Sequence, residues 1–161
     1  MTYSQKYCLV SFIKPVDIGK EFNMADWPLH VTLADVFAID RENSNIESKL
    51  EGFLSAQPMF SSFTDKETTL GTTKVVLLDK TKELTALHTS IVSLLEENGA
   101  IFNTPEYTRV GFLPHCTIQK TERLDSGEKV AITTIALVDM FPNGNWQQRK
   151  VINIFKLHSS V

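Results

Sequence analysis

Two apolar stretches with the same internal spacing constrain this chain more than any other feature. The first is Leu29-His30-Val31-Thr32-Leu33, and the second is Pro114-His115-Cys116-Thr117-Ile118. Each sets a His two residues before a Thr inside a run that reads as a β-strand. Residues i and i+2 of a strand point to one face. His30 and Thr32 therefore share a face, with Val31 and Leu33 behind them. His115 and Thr117 share a face in the same way, with Cys116 and Ile118 behind. The two motifs lie 85 residues apart. A fold with one motif per half, closed on a single cleft, would use this repeat, and no other internal repeat is evident.

The bare pattern is weak, because all four histidines are followed two residues later by Ser or Thr. Context separates them. His88 falls in a helical pattern, where i and i+2 are about 200° apart, so it reads as a surface or half-buried helix residue. His158 sits near the C-terminus, where a structural or solvated role is expected. His30 and His115 lie in β-like runs, are paired with Thr, and each follow a proline closely (Pro28 and Pro114). Two titratable groups meeting in a cleft is the usual form of an acid–base site.

The rest of the chain reads as α+β. Strands are predicted over Lys6 to Ile13, Leu29 to Ile39, Met59 to Leu70 (one strand or a bent pair), Lys74 to Asp79, Thr108 to Lys120, Lys129 to Phe141 and Gln147 to Leu157. Lys14 to Pro28 is irregular, with room for a short helical turn. Ser44-Asn45-Ile46-Glu47 has the form of a capping box. It opens a helix carrying Ile46, Leu50, Phe53 and Leu54 on one face and ending at Pro58. The clearest helix runs from Thr81 to Asn98, with a stripe of Leu84, Leu87, Ile91, Leu94 and Leu95 and Gly99 as its stop. Asn143-Gly144 lies in the turn of a closing hairpin.

With 161 residues, 42% hydrophobic and 22% charged, one domain spanning 1–161 is expected. No apolar run approaches the roughly 20 residues that span a bilayer, and Met1 to Phe12 lacks the pattern of a signal peptide. Cys8 and Cys116 read as buried thiols of a reducing compartment, so a cytoplasmic protein is expected. A net charge of −3 argues against coating long nucleic acid. It leaves room for a small phosphate ester or one RNA end. Nothing calls for an obligate oligomer, and a monomer is expected.

On His30-Val31-Thr32-Leu33 and His115-Cys116-Thr117-Ile118, with the lead-in Phe112-Leu113-Pro114, the chain resembles the two-histidine (2H) phosphoesterase superfamily. That group includes RNA 2′,3′-cyclic phosphodiesterases and 2′-5′ RNA ligase-like proteins. The resemblance covers the whole chain. It implies a single bilobal pseudo-twofold domain, antiparallel sheets around a central cleft and helices packed outside. It also implies metal-independent hydrolysis of a 2′,3′-cyclic phosphodiester on a cyclic nucleotide or an RNA 3′ end. One departure concerns Lys14 to Pro28, which is short and broken by Pro and Gly where the family often has a full helix. Substrate choice does not carry over through that wall.

The residues suit such chemistry. Neutral imidazole takes a proton from water and imidazolium returns one to a leaving ribose oxygen. Thr32 and Thr117 can donate to the phosphate oxygens. Which of His30 and His115 is base stays open. No cofactor is expected, and no metal, since the chain has no His-Glu-x-x-His, Cys-x-x-Cys or dense carboxylate cluster. Lys120, Trp27, Tyr107 and Phe112 are candidate substrate contacts. Trp146, Arg109 and Arg149 have weaker claims. The alternatives are a 2′-5′ phosphodiesterase or ligase of short oligonucleotides, a non-catalytic nucleotide or RNA-end binding module, and a structural domain with buried histidines.

Overall fold

A computed structural model describes residues 5–159. Met1 to Ser4, on which part of the signal-peptide reading rested, lie outside the described residues, as do Ser160 and Val161 of the His158 segment. The chain runs β1 (Lys6–Phe12), β2 (Glu21–Asn23), β3 (His30–Ala38), α1 (Ile46–Leu54), β4 (Phe60–Leu70), β5 (Thr73–Leu78), α2 (Lys82–Glu97), β6 (Ile101–Phe102), β7 (His115–Thr117), β8 (Lys129–Ile132), β9 (Thr134–Asp139) and β10 (Gln148–Lys156). The strands join in one path, β2-β10-β9-β1-β3-β7-β5-β4-β8, and β6 adds beside the end of β3. Every pairing between these strands is antiparallel. The fold is the α+β architecture expected.

The two motif strands are neighbours at the middle of that path. β3 meets β7 through Val31 opposite Cys116. Behind them, β1 backs β3 and β5 backs β7. Each motif strand is thus braced from its own side, and the junction is the line where the halves meet.

Both helices bury their apolar stripes against one face. Ile46, Leu50 and Leu54 of α1 and Leu84, Leu87, Ile91 and Leu95 of α2 join Leu9, Val31, Leu33, Phe37, Ile135 and Phe155 in the main core. A smaller cluster gathers Cys8, Val10, Phe12, Phe22, Val138 and Val151, with Trp27 packed against it. β1 alternates between the two clusters, so it is buried on both faces and has no solvent side to read as polar.

Several boundaries differ from expectation. The segment read as one strand over Thr108 to Lys120 is strand only at His115–Thr117. Before it come two tight turns, Pro105–Tyr107 and Arg109–Gly111, with Arg109 in the left-handed region at φ 55°. The run from Lys129 to Phe141 splits: β8 pairs with β4, while β9 pairs with β1 and β10. One unbroken strand cannot pair in both halves of the path, so the chain steps across at Thr133, whose carbonyl accepts from the Leu157 amide at 3.0 Å. Lys14 to Pro28 holds no helical turn; its Glu21–Asn23 adds to the β10 edge because Phe22 anchors in the smaller cluster. The capping box does not form. Asn45 takes the N-cap position in the left-handed region and makes no side-chain cap bond. Ser44 donates instead to the Arg41 carbonyl, and Glu47 accepts from Arg41 (2.6 Å) and Asn153. An ion pair and a long-range bond outcompete the reciprocal cap.

Candidate active site

The site is a consequence of strand register. Val31 and Cys116 face each other and are buried beneath the sheet, 0% and 1% exposed. One step either way along an antiparallel ladder puts His30 opposite Thr117 and Thr32 opposite His115. Alternation turns all four side chains to the face away from Val31 and Cys116. The histidines stand on one diagonal of this square and the threonines on the other.

The two rings are held alike. His30 Nδ1 lies 2.8 Å from the Pro28 carbonyl, and His115 Nδ1 lies 2.7 Å from the Leu113 carbonyl. A carbonyl only accepts, so the hydrogen sits on Nδ1 of each ring and Nε2 keeps its lone pair. The same contact to residue i−2 in both halves gives both histidines the tautomer of a proton acceptor at Nε2.

Their surroundings differ. Trp27 packs on His30 with ring centroids 4.5 Å apart, and Phe12 approaches its edge at 6.2 Å. Phe22 braces Trp27 at 4.8 Å, and the Arg149 guanidinium lies over the indole at 6.0 Å. Burial in this aromatic wall pushes the His30 pKa down to about 4. The Pro28 carbonyl opposes the shift and His115 adds to it. His30 is therefore neutral at neutral pH. Among the described residues, no aromatic ring packs on His115 in this way. The two thiols are unsuited to act as nucleophiles. Burial raises Cys8 to about 12 and Cys116 to about 11, and both are free and buried.

The square opens into a groove with two lobes. The larger, about 560 Å³, is lined by His115, Tyr107, Phe112 and Leu70 among others. The smaller, about 290 Å³, is lined by His30, Trp27, Met24, Gln119 and Met140 among others. Thr32, Asp35 and Thr117 border both. Of the sequence candidates, His30, Thr32, His115, Thr117, Trp27, Tyr107 and Phe112 line the groove. Lys120 is exposed and lines neither lobe, because β7 ends at Thr117 and Gln119 takes the groove position. Trp146 is exposed and also lines neither. Arg109 pairs with Glu96 at 2.6 Å, and Arg149 donates to the carbonyls of Met140, Trp146 and Gln148. His158 bonds through its backbone to Gln57 and Met59, outside the groove lining. Among the described residues, no group of three or more His, Cys, Asp or Glu is arranged to hold a metal ion.

Two residues of the site escaped the sequence reading. The first is Asp35. Strict alternation from His30 would send it to the core, but the β1–β3 register slips twice. Val10 faces Thr32, Leu9 faces Ala34 and Tyr7 faces Phe37. Leu33 and Ala34 both enter the main core, and Asp35 and Val36 both turn to the smaller lobe. A bulge thus re-aims the carboxylate. A charge at a nominal core position of an apolar strand was the available signal.

The second is His88, which is fully buried (1% exposed) where a surface or half-buried helix residue was expected. It falls on the apolar stripe, one turn from Leu84. Its Nδ1–H donates to the Leu33 carbonyl at 2.6 Å, and its Nε2 accepts the Arg109 amide at 2.9 Å. The ring stacks on Phe112 at 3.8 Å. Burial holds its pKa below the ordinary value, with Lys80 and Arg109 adding to the effect against the Leu33 contact. His88 ties the bulge of the first motif strand to the loop that leads into the second.

The model of the 2'-5' RNA ligase superfamily matches residues 17–148. No curated protein matches the chain significantly. Among solved structures, a phosphoesterase superposes with a TM-score of 0.63, 17% identity, and coverage of 96% of this chain and 98% of its own. E. coli LigT complexed with 3'-AMP gives 0.62, 17% identity, and 96% and 99% coverage. TT0787 of Thermus thermophilus gives 0.60, 13% identity, and 97% and 100% coverage. At these identities the likeness is one of fold. The family match, however, spans both His-x-Thr strands and the groove between them, and the chain belongs to the 2'-5' RNA ligase superfamily, the two-histidine phosphoesterases.

Proposed function

We propose that this chain hydrolyses a 2′,3′-cyclic phosphodiester, with His30 as general base and His115 as general acid. The observation that carries the reading is the register of β3 on β7, which turns two histidines and two threonines toward one groove face. The phosphate sits over the Thr32–Thr117 diagonal, each hydroxyl donating to a non-bridging oxygen. The histidines then flank the phosphorus from opposite corners, as in-line displacement needs. His30 Nε2 takes a proton from water as the water oxygen bonds to phosphorus. His115, protonated at Nε2, gives its proton to the ribose oxygen as the ring P–O bond breaks. The product is a phosphomonoester beside a free hydroxyl, and proton exchange with solvent restores both rings. The direction follows from the aromatic wall: the histidine kept neutral is the one ready to accept. E. coli LigT binds 3'-AMP, a ribonucleoside phosphate of the kind this reaction releases.

The two-lobed groove favours one second reading, a linear 2′-5′ phosphodiester with a nucleoside in each lobe. Hydrolysis of the four 2′,3′-cyclic nucleoside monophosphates and of a 2′-5′ dinucleotide, in excess EDTA and with products resolved, separates the two. His30→Ala and His115→Ala are each expected to lower turnover by about 10²–10⁴-fold. A metal requirement, or turnover that survives either substitution, overturns the mechanism. Saturable binding of the cyclic nucleotides without product would leave a binding module in its place.

A further inference from the structure

We propose that Asp35 is a specificity-determining residue that restricts the groove to substrates whose reacting phosphodiester is their only phosphate. The proposal rests on the hydrolase reading above and names its substrate class. A carboxylate is an unexpected wall for an anion site. Asp35 nonetheless borders both lobes, beside the two threonines, so a second phosphate meets it whichever lobe receives that end of the molecule.

No salt bridge neutralises Asp35 among the described residues, and its Oδ1 accepts only the Val36 amide at 2.9 Å. Neither lobe is lined by Lys or Arg. Three of the four arginines are held in ion pairs, Arg41 with Glu47, Arg109 with Glu96, and Arg123 with Glu67 and Asp125; Arg149 stands behind Trp27, with one nitrogen on three carbonyls, and lines neither lobe. Lys80, whose charge reaches His88, donates to the Val110 carbonyl. Recognition of several phosphates calls for several cations at the ligand, and no Lys or Arg side chain lines either lobe.

The remaining lone pairs of Asp35 suit a neutral donor. In a half-buried groove a carboxylate gains from a hydroxyl or amino hydrogen and repels a further anion. The favoured substrate is therefore a single nucleoside cyclic phosphate with its other hydroxyls free. A 5′-phosphorylated analogue, or a strand end with adjacent phosphates, is disfavoured.

The test compares ligand pairs differing by one phosphate. Calorimetry measures adenosine 3′-monophosphate against adenosine 3′,5′-bisphosphate. Turnover compares adenosine 2′,3′-cyclic phosphate with its 5′-phosphorylated form. The unmodified chain is expected to prefer the singly phosphorylated member of each pair. Asp35→Asn, which keeps shape and removes charge, is expected to shrink the preference about tenfold, as loss of one partly screened repulsion would. In the unmodified chain the preference is expected to narrow at 1 M salt, where the Debye length is about 3 Å. No preference in the unmodified chain, or an unchanged preference in Asp35→Asn, overturns the proposal. Turnover without preference removes charge selection and leaves the hydrolase reading. Preference in binding with no turnover of any substrate does the reverse. Failure of both ligands to bind, with no turnover, removes both.

Discussion

At the scale of single residues, the pair of histidines is symmetric in its hydrogen bonds and asymmetric in its packing. Both rings anchor Nδ1 on the carbonyl two residues earlier, yet only His30 has an indole against it. Trp27→Ala would let water reach the His30 ring and stabilise its cation. Its pKa then rises from about 4 toward its ordinary value near 6.5. The acid limb of kcat/KM is expected to move up in pH by as much as about two units. A pH–rate profile of Trp27→Ala beside the unmodified chain reads this directly, and an unmoved limb would show that the indole does not set the ionisation. His88 gives a second prediction. His88→Leu keeps the apolar bulk but strands the Leu33 carbonyl and the Arg109 amide. The expected loss is about 2–4 kcal/mol by urea unfolding, the usual range for orphaned buried polar groups and lost packing.

At the scale of elements, local chemistry was legible where the chain answered only to itself. α2 starts at Thr81, whose side chain accepts the Leu84 amide, and stops at Gly99 with φ +91°. Its stripe and stop were readable from spacing, and the Thr81 cap adds to them. α1 has the same kind of start signal, but Glu47 is drawn to Arg41 and Asn153 and the cap is lost. Thr81→Ala is therefore expected to cost about 1 kcal/mol and Ser44→Ala less than about 0.5 kcal/mol. Equal losses in paired unfolding curves would contradict that contrast. The loop before β7 depends on Gly111 for a different reason. A Cβ there would overlap the Glu106 backbone carbonyl. Gly111→Ala must displace the turn carrying Tyr107 and the Phe112 lead-in to His115. We expect turnover to fall at least about tenfold while α2 stability, followed by hydrogen exchange, is largely kept.

At the scale of the molecule, the histidines couple function to stability. His30 and His88 both have folded-state pKa values lowered by burial. The unfolded chain therefore binds more protons than the folded one below about pH 6.5. Stability is complete above that value and falls as pH drops through it, by about 1.4 kcal/mol per pH unit for each histidine until its folded-state pKa is passed. For His30 that window closes near pH 4. Urea midpoints that stay level from pH 7.5 to pH 5 would remove both histidines from the account. No helix among the described residues is long and apolar enough to cross a membrane.

By itself the sequence determined which residues alternate on a strand, which stripe a helix buries, and that two His-x-Thr segments repeat. These follow from local sterics and from periods of 2 and 3.6 residues. It also carried the family resemblance, through motifs short enough to survive where identity is low. Only the tertiary structure decided that β3 lies on β7 in the register that crosses the histidines, because pairing partners are chosen by the whole sheet. It decided that Trp27 reaches His30 and not His115, since Trp27 is braced by Phe22, which β2 anchors in the smaller core. It placed Asp35 in the groove by slipping β3 against β1, a choice made by packing on two faces at once. A period in the sequence specifies faces only until the first bulge; beyond it, the neighbouring strand decides.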